Sequence, residues 1–116
     1  MNDFDLTFEP GEILTEDYSY TDVDIQQAAH AIKAMGHPLR LQLMCVLAAK
    51  GEVSVQDLVN AVGTSQSNIS QHLSILRERD ILATRKQANK VFYHISDTKI
   101  LQLMGLLRDT FCPTKP

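Results

Sequence analysis

Between Ser54 and Arg79 the sequence reads as a short helix, a glycine turn and a second helix, and this spacing restricts the fold more than any other feature of the chain. Ser54 stands three residues before Asp57, a near capping box, and opens a helix through Leu58, Val59 and Val62 to Gly63. Gly63 and Thr64 make the turn, and Ser65 caps a helix that runs to about Arg79. On that helix Ile69, Leu73 and Leu76 recur at i, i+4 and i+7 and face a core. Ser67, Ser70, Gln71 and Ser74 line another face, polar but almost uncharged. A merely solvated helix face is usually rich in Glu and Lys, so hydroxyls and amides near an N-terminus point to a surface that reads a partner.

The flanking sequence completes a module around this pair. Asp22 caps a first helix in which Ile25, Ala28, Ala29 and Ile32 form one stripe, ending near Met35 and Gly36. Pro38 suits the first position of a second helix, with Leu39, Leu43, Met44 and Leu47 apolar, that continues to about Lys50 and stops at Gly51. Residues 81–86 and 90–95 read as two strands joined by Gln87, Ala88 and Asn89, with Arg85, Lys86 and Lys90 around the tip. Asp97 or Thr98 caps a last helix ending around Cys112 and Pro113. Its apolar band, from Ile100 to Phe111, is too wide for one core, so part of it, with the first helix, needs a partner chain. The predicted order is α-α-α-α-β-β-α over residues 22–113: mainly α with a small β-hairpin, a winged helix-turn-helix. Residues 1–21 are expected to be an acidic tail, either solvated or an arm whose Phe4, Phe8, Tyr18 and Tyr20 dock elsewhere.

At 116 residues the chain has room for one domain and one core. No run is long and apolar enough for a membrane span, and the acidic start does not suit a secretory signal, so a cytoplasmic protein is expected. The net charge of −3 is uneven. Residues 1–36 carry eight acids against one base, whereas residues 37–95 carry seven bases against four acids. A basic middle in an acidic chain fits a local polyanion-binding surface. Two cysteines are too few for a disulfide framework and are fillers, ligands or redox-active thiols.

A winged helix-turn-helix binds duplex DNA by laying its second helix in the major groove and its wing tip on phosphate. Gln66, Asn68 and Gln71 offer amides that can pair with adenine, and Ser65, Ser67 and Ser70 can donate to bases or phosphates. His72 adjoins this face, as a contact or as a ring packed at the core edge. Arg85, Lys86, Gln87, Asn89 and Lys90 form the wing and backbone contacts. The alternatives are a winged helix used only for protein contacts, and a small thiol enzyme. The latter lacks support: His30, His37, His72 and His94 are scattered singly, with no phosphate loop or paired carboxylates.

Three stretches in this order, residues 34–41 (AMGHPLRL), 53–58 (VSVQDL) and 65–77 (SQSNISQHLSILR), resemble the ArsR family of bacterial repressors. The resemblance runs from about residue 23 to 112 and implies a homodimer, joined through its first and last helices, on an inverted repeat in double-stranded promoter DNA. Family metal sites do not carry over. Val53, Ser54, Val55 and Gln56 stand where the thiol-type sensors have Cys-x-Cys, and no histidine follows Asp97. No metal or other cofactor is expected. Cys45 and Cys112 do match, in position, the thiol pair of the dithiol, persulfide- and redox-sensing branch, of the biofilm-growth-associated repressor type. That likeness implies a repressor whose operator affinity falls when an oxidant or reactive sulfur species links Cys45 to Cys112 by a disulfide or polysulfide. A thiophilic metal or metalloid held by the same thiols, with His94, is the alternative inducer.

Overall fold

The structure, a computed structural model, describes residues 21–112 of the chain. Residues 1–20 of the expected tail, with its aromatics, and residue 113 at the end of the expected domain lie outside the described residues. Five helices and three short strands follow in the order α1 (Asp22–Met35), α2 (Pro38–Lys50), β1 (Glu52–Ser54), α3 (Val55–Val62), α4 (Gln66–Glu78), β2 (Leu82–Gln87), β3 (Lys90–Ile95) and α5 (Thr98–Phe111). This is a winged helix-turn-helix. The sheet is antiparallel in the order β1-β3-β2, so the hairpin carries a third strand that the expected order lacked. Three residues are too few to show a period-two pattern, and β1 exists because β3 offers a second edge: Glu52 pairs His94 and Ser54 pairs Phe92.

Local signals set most helix ends. Pro38 occupies the first turn of α2 and His37 caps it, its Nδ1 accepting from the Leu39 N–H at 3.1 Å. Ser54 and Ser65 cap α3 and α4, each accepting a backbone N–H three residues on. Gly63 ends α3 at φ +87°, in the left-handed region that glycine enters without a Cβ clash. The cap of α1 is Thr21 rather than Asp22: its hydroxyl accepts from Asp24 N–H while the Asp24 carboxylate accepts from Thr21 N–H, a reciprocal pair. At the end of α4 the Asp80 N–H bonds the Arg77 carbonyl and the Ile81 N–H bonds the Leu76 carbonyl, a Schellman turn. Asp80 therefore sits at φ +60° where glycine is usual.

The core is built where the elements converge. Leu43, Met44 and Leu47 of α2, Leu58 of α3 and Ile69, Leu73 and Leu76 of α4 are fully buried, with Ile81 beneath them. Replacing one such leucine by alanine costs about 2–5 kcal/mol, so this interdigitation fixes α4 against α2. The first and last helices behave differently. Val23, Ile25 and Ile32 of α1 are exposed, as are Leu103, Leu106 and Phe111 of α5. The stripe on α1 thus faces away from this core, and only Ala34 and Met35 at its end are buried. No described helix is long and apolar enough to cross a membrane.

Candidate nucleic-acid interface and thiol site

The turn between α3 and α4 sets the exposed side of α4 beside the wing. An open cavity of about 270 Å³ is bounded by Ser54 and Gln56 at the start of α3, Gln66 and Ser70 on α4, and Asn89 and Lys90 on the wing. Five sequence-predicted contact residues are reached from two separate elements here or beside it: Gln66, Ser70, Asn89 and Lys90 line the cavity and Ser67 is exposed next to Gln66. Gln71 and Ser74 are also exposed, away from buried Ile69 and Leu73. Val55 and Val91 complete the lining, so polar side chains from α3, α4 and the wing share the groove with two valines.

Two predicted readers are committed to the fold. Ser65 accepts the Asn68 N–H at 3.1 Å, and the Asn68 side-chain amide donates to Thr64 Oγ1 at 3.2 Å. Both shape the start of α4. Gln56 was missed. It is exposed on the first turn of α3, where its amide donates to Asn60 Oδ1 at 3.2 Å, and helix-turn-helix geometry puts that turn beside the first turn of α4.

The wing divides its charges. Arg85 donates through Nε and NH2 to the Glu52 carboxylate at 3.0 and 2.7 Å and through NH1 to Gln87 Oε1 at 2.7 Å, and its guanidinium lies 5.0 Å from the centre of the Phe92 ring. The bidentate bond holds the Glu52 carboxyl below the usual carboxylate range and raises the Arg85 pKa further. Arg85 and Gln87 are thus engaged within the sheet rather than projecting from the tip. Lys86 and Lys90 are exposed and have no ion pair among the described residues. His94 lies with Nδ1 3.8 Å from Glu52 Oε2.

His72 is half-buried on the flank of α4 away from the wing. Arg40 NH1 stands 3.1 Å from its Nδ1, and the His37 ring lies 4.7 Å from it, tilted by 38°. Desolvation, then the nearby His37 and Arg40 charges, lower its pKa. The ring is therefore neither a free reader nor a core filler alone; it is tied to the start of α2.

At the other end of α2 both cysteines border one open cavity of about 480 Å³ between α2 and α5. Cys45, Ala48 and Ala49 form one wall at i, i+3 and i+4; Met104, Gly105, Arg108 and Cys112 form the other. Both thiols are free and exposed. Cys45 is thus not core filler. It stands on the far side of α2 from Leu43, Met44 and Leu47 and faces α5 across the cavity. Partial burial there desolvates it and raises its pKa, and the neighbouring Cys112 raises it further. His94 does not border this cavity. Among the described residues, no group of three His, Cys, Asp or Glu side chains could hold a metal ion.

Comparison with known proteins adds three findings. Residues 37–84 match the family described as bacterial regulatory protein, arsR family. The chain is 38% identical over 86 residues to the Biofilm growth-associated repressor of Xylella fastidiosa, covering 74% of this chain and 75% of that protein. It is 40% identical over 86 residues to the transcriptional activator HlyU of Vibrio cholerae, with 74% and 79% covered. The solved structure of HlyU from Vibrio cholerae superposes with a TM-score of 0.74 at 37% identity, over 79% of this chain and 99% of that one.

Proposed function

The chain belongs to the arsR family of bacterial regulatory proteins, and on that premise we propose that it is a homodimeric repressor that leaves its operator when Cys45 and Cys112 become linked. Its relatives are transcriptional regulators, not enzymes. The DNA half of the reading is supported by the groove that joins Gln66 and Ser70 of α4 to Asn89 and Lys90 of the wing. In it α4 enters the major groove with Gln66, Ser67, Ser70 and Gln71 toward base edges, while Lys86, Asn89 and Lys90 meet the backbone. Arg85 and Gln87 support the wing rather than touch DNA. The exposed apolar residues of α1 and α5 support a dimer, and a dimer requires an operator of two inverted half-sites. The place of action is the bacterial cytoplasm.

The observation that carries the inducer half is that two thiols from different helices share one cavity. Cys45, with its raised pKa, is poorly suited to attack first, so Cys112 takes the attacking role and Cys45 resolves. With a peroxide, the Cys112 thiolate breaks the O–O bond and becomes a sulfenic acid; Cys45 sulfur then displaces that oxygen as water, and two thiols have lost two electrons and two protons. With a persulfide, Cys112 takes the outer sulfur and releases a thiol, and attack by Cys45 expels hydrogen sulfide to close the same bond. Added sulfur lengthens the bridge and relaxes the spacing that a disulfide would require of the two thiols. Because α2 packs against both α4 and α5, a bond across the cavity moves the reading helix relative to the dimer helix and changes half-site spacing. A metal or metalloid inducer has less support, since no third donor accompanies the thiols among the described residues.

The test is intact-mass spectrometry of protein that is reduced, peroxide-treated or treated with glutathione persulfide, beside DNA binding of the same samples. Loss of two hydrogens, with or without added sulfur, mapped to Cys45 and Cys112 and accompanied by DNA release is the expected result. DNA release with both thiols unmodified would overturn the thiol switch.

A further inference from the structure

Arg40 sits where three helices meet. Its Nε donates to the Ala34 carbonyl in the last turn of α1, and NH1 stands 3.1 Å from Nδ1 of His72 on α4. Arginine keeps its proton under all ordinary conditions and has donors only. A hydrogen bond between this pair therefore has one direction: Arg40 donates, Nδ1 accepts, and the single ring proton of a neutral His72 is on Nε2. The lowered pKa of His72 agrees with a neutral ring. The His37 ring beside it has its own Nδ1 committed to the Leu39 N–H and offers His72 no competing acceptor through that atom.

The surroundings of Arg40 bear on what the Nε2–H of the half-buried His72 would meet. Beside Arg40, a groove between α1 and α4 is lined by Lys33, Arg79, His30 and Ile75 and by no acid. His30 and Arg79 also border a neighbouring cavity that holds Glu78 and Asp80, so the excess of bases lies on the Lys33 and Arg40 side of this groove. His72 belongs to the α4 flank opposite the wing lysines, so an anion on this side would pair with one on the other and hold α4 from both sides.

We propose that Arg40 is a positioning residue of the DNA-binding surface: it fixes His72 as the Nε2–H tautomer, and that N–H donates to a phosphodiester oxygen on the flank of α4 away from the wing. This inference rests on the DNA-binding reading above. The contact is neutral donor to charged acceptor, carries no sequence information, and sets how deeply and at what angle α4 enters the groove. Its specificity lies in geometry. A lysine at position 40 keeps the charge but cannot bridge Ala34 and His72 with a planar fork.

The experiment uses the full chain and a mixed-sequence DNA duplex at low salt, with two readouts. Long-range proton–nitrogen NMR of histidine in the free protein at pH 7 should show His72 as the Nε2–H tautomer; an Nδ1–H or doubly protonated ring overturns the proposal without any DNA present. For affinity, His72→Gln keeps an inward acceptor and an outward donor and should bind within about twofold of the wild type, whereas His72→Leu and Arg40→Lys should each bind about tenfold more weakly. The double variant Arg40→Lys/His72→Leu should be no weaker than His72→Leu alone, because both substitutions remove one contact. Circular dichroism and thermal melting establish that each variant is folded. Wild-type affinity in a folded His72→Leu, or additive losses in the double variant, overturns the proposal. Failure of the wild type to bind any duplex overturns instead the DNA-binding reading, and the tautomer result stands apart from it.

Discussion

Arg85 of β2 reaches across β3 to Glu52 of β1 and binds both carboxylate oxygens, with its shortest contact 2.7 Å. The pair is a brace across the sheet, and it separates the wing's structural cation from its free ones. Arg85→Ala should leave the salt dependence of DNA binding nearly unchanged, while Lys86→Ala or Lys90→Ala should each lower its slope by about one. Equal slopes for the lysine variants and the wild type would remove those lysines from the phosphate contacts. The pH sign of the brace follows from the lowered Glu52 pKa: its stabilisation is present above the ordinary carboxylate range and is lost as pH falls through the folded-state value.

Gln71 is exposed at the middle of the polar face of α4 and, among the described residues, makes no side-chain bond that would explain its placement. Gln71→Ala should lower the preference for operator over mixed-sequence DNA, by about 1–3 kcal/mol if the amide pairs with a base. Competition binding measures this directly. An unchanged preference would exclude Gln71 from base readout.

His72 gives the opposite pH sign to a paired histidine. Its folded-state pKa lies below the ordinary histidine value, so the unfolded chain takes up a proton first as pH falls. Stability should therefore drop as pH is lowered from about 6.5, and continue to drop until the folded ring also protonates. The charged groups around it are Arg40 and His37, with His30, Lys33 and Arg79 in the adjoining groove. Urea midpoints between pH 7.5 and 5.5 should show a smaller decline in His72→Gln than in the wild type.

Asp80 holds the left-handed position of the Schellman turn at φ +60°. Asp80→Gly should stabilise the protein by roughly 0.5–1 kcal/mol, because glycine enters that region without the steric cost borne by a Cβ. Ala88, at φ +55° in the hairpin tip, offers the same gain. Denaturant unfolding checks both, and a loss of stability in Asp80→Gly would show that the aspartate side chain contributes more than its backbone costs.

Cys45→Ser and Cys112→Ser should each bind DNA as the reduced wild type does and fail to release it with peroxide or persulfide. Both residues are exposed at the edge of a cavity, so the substitutions leave the core intact. Full release by either single variant would exclude a required bond between them.

What could be read from the chain depended on how local its cause was. The caps at Ser54 and Ser65, Pro38 in the first turn of α2 and Gly63 at the end of α3 are decided within four residues, and the expected positions agree with the structure. The core face of α4 followed from periodicity alone. The strand β1 did not, because its only reason is an edge of β3 some forty residues later. Nor did the engagement of Arg85, whose partner lies 33 positions away and whose charge near a turn looks the same whether free or bound. Cys45 looked equally fit for a core, since Leu41, Cys45 and Ala48 share helical spacing with genuine core positions. Only the packing of α5 shows that this side of α2 borders a cavity.

Arg40 and Cys45 lie on the same uninterrupted helix, α2, five positions apart. At 1.5 Å per residue the two positions are about 7.5 Å apart along a stiff rod. A signal carried by such a rod requires neither unfolding nor a chain of rearranging loops, and rigid-body shifts of helices finish within microseconds to milliseconds. Bond formation between thiols is far slower. Under the proposed thiol switch, the response time is then that of the sulfur chemistry, and the concentration of inducer, not the mechanics of the protein, would set how quickly a promoter is freed.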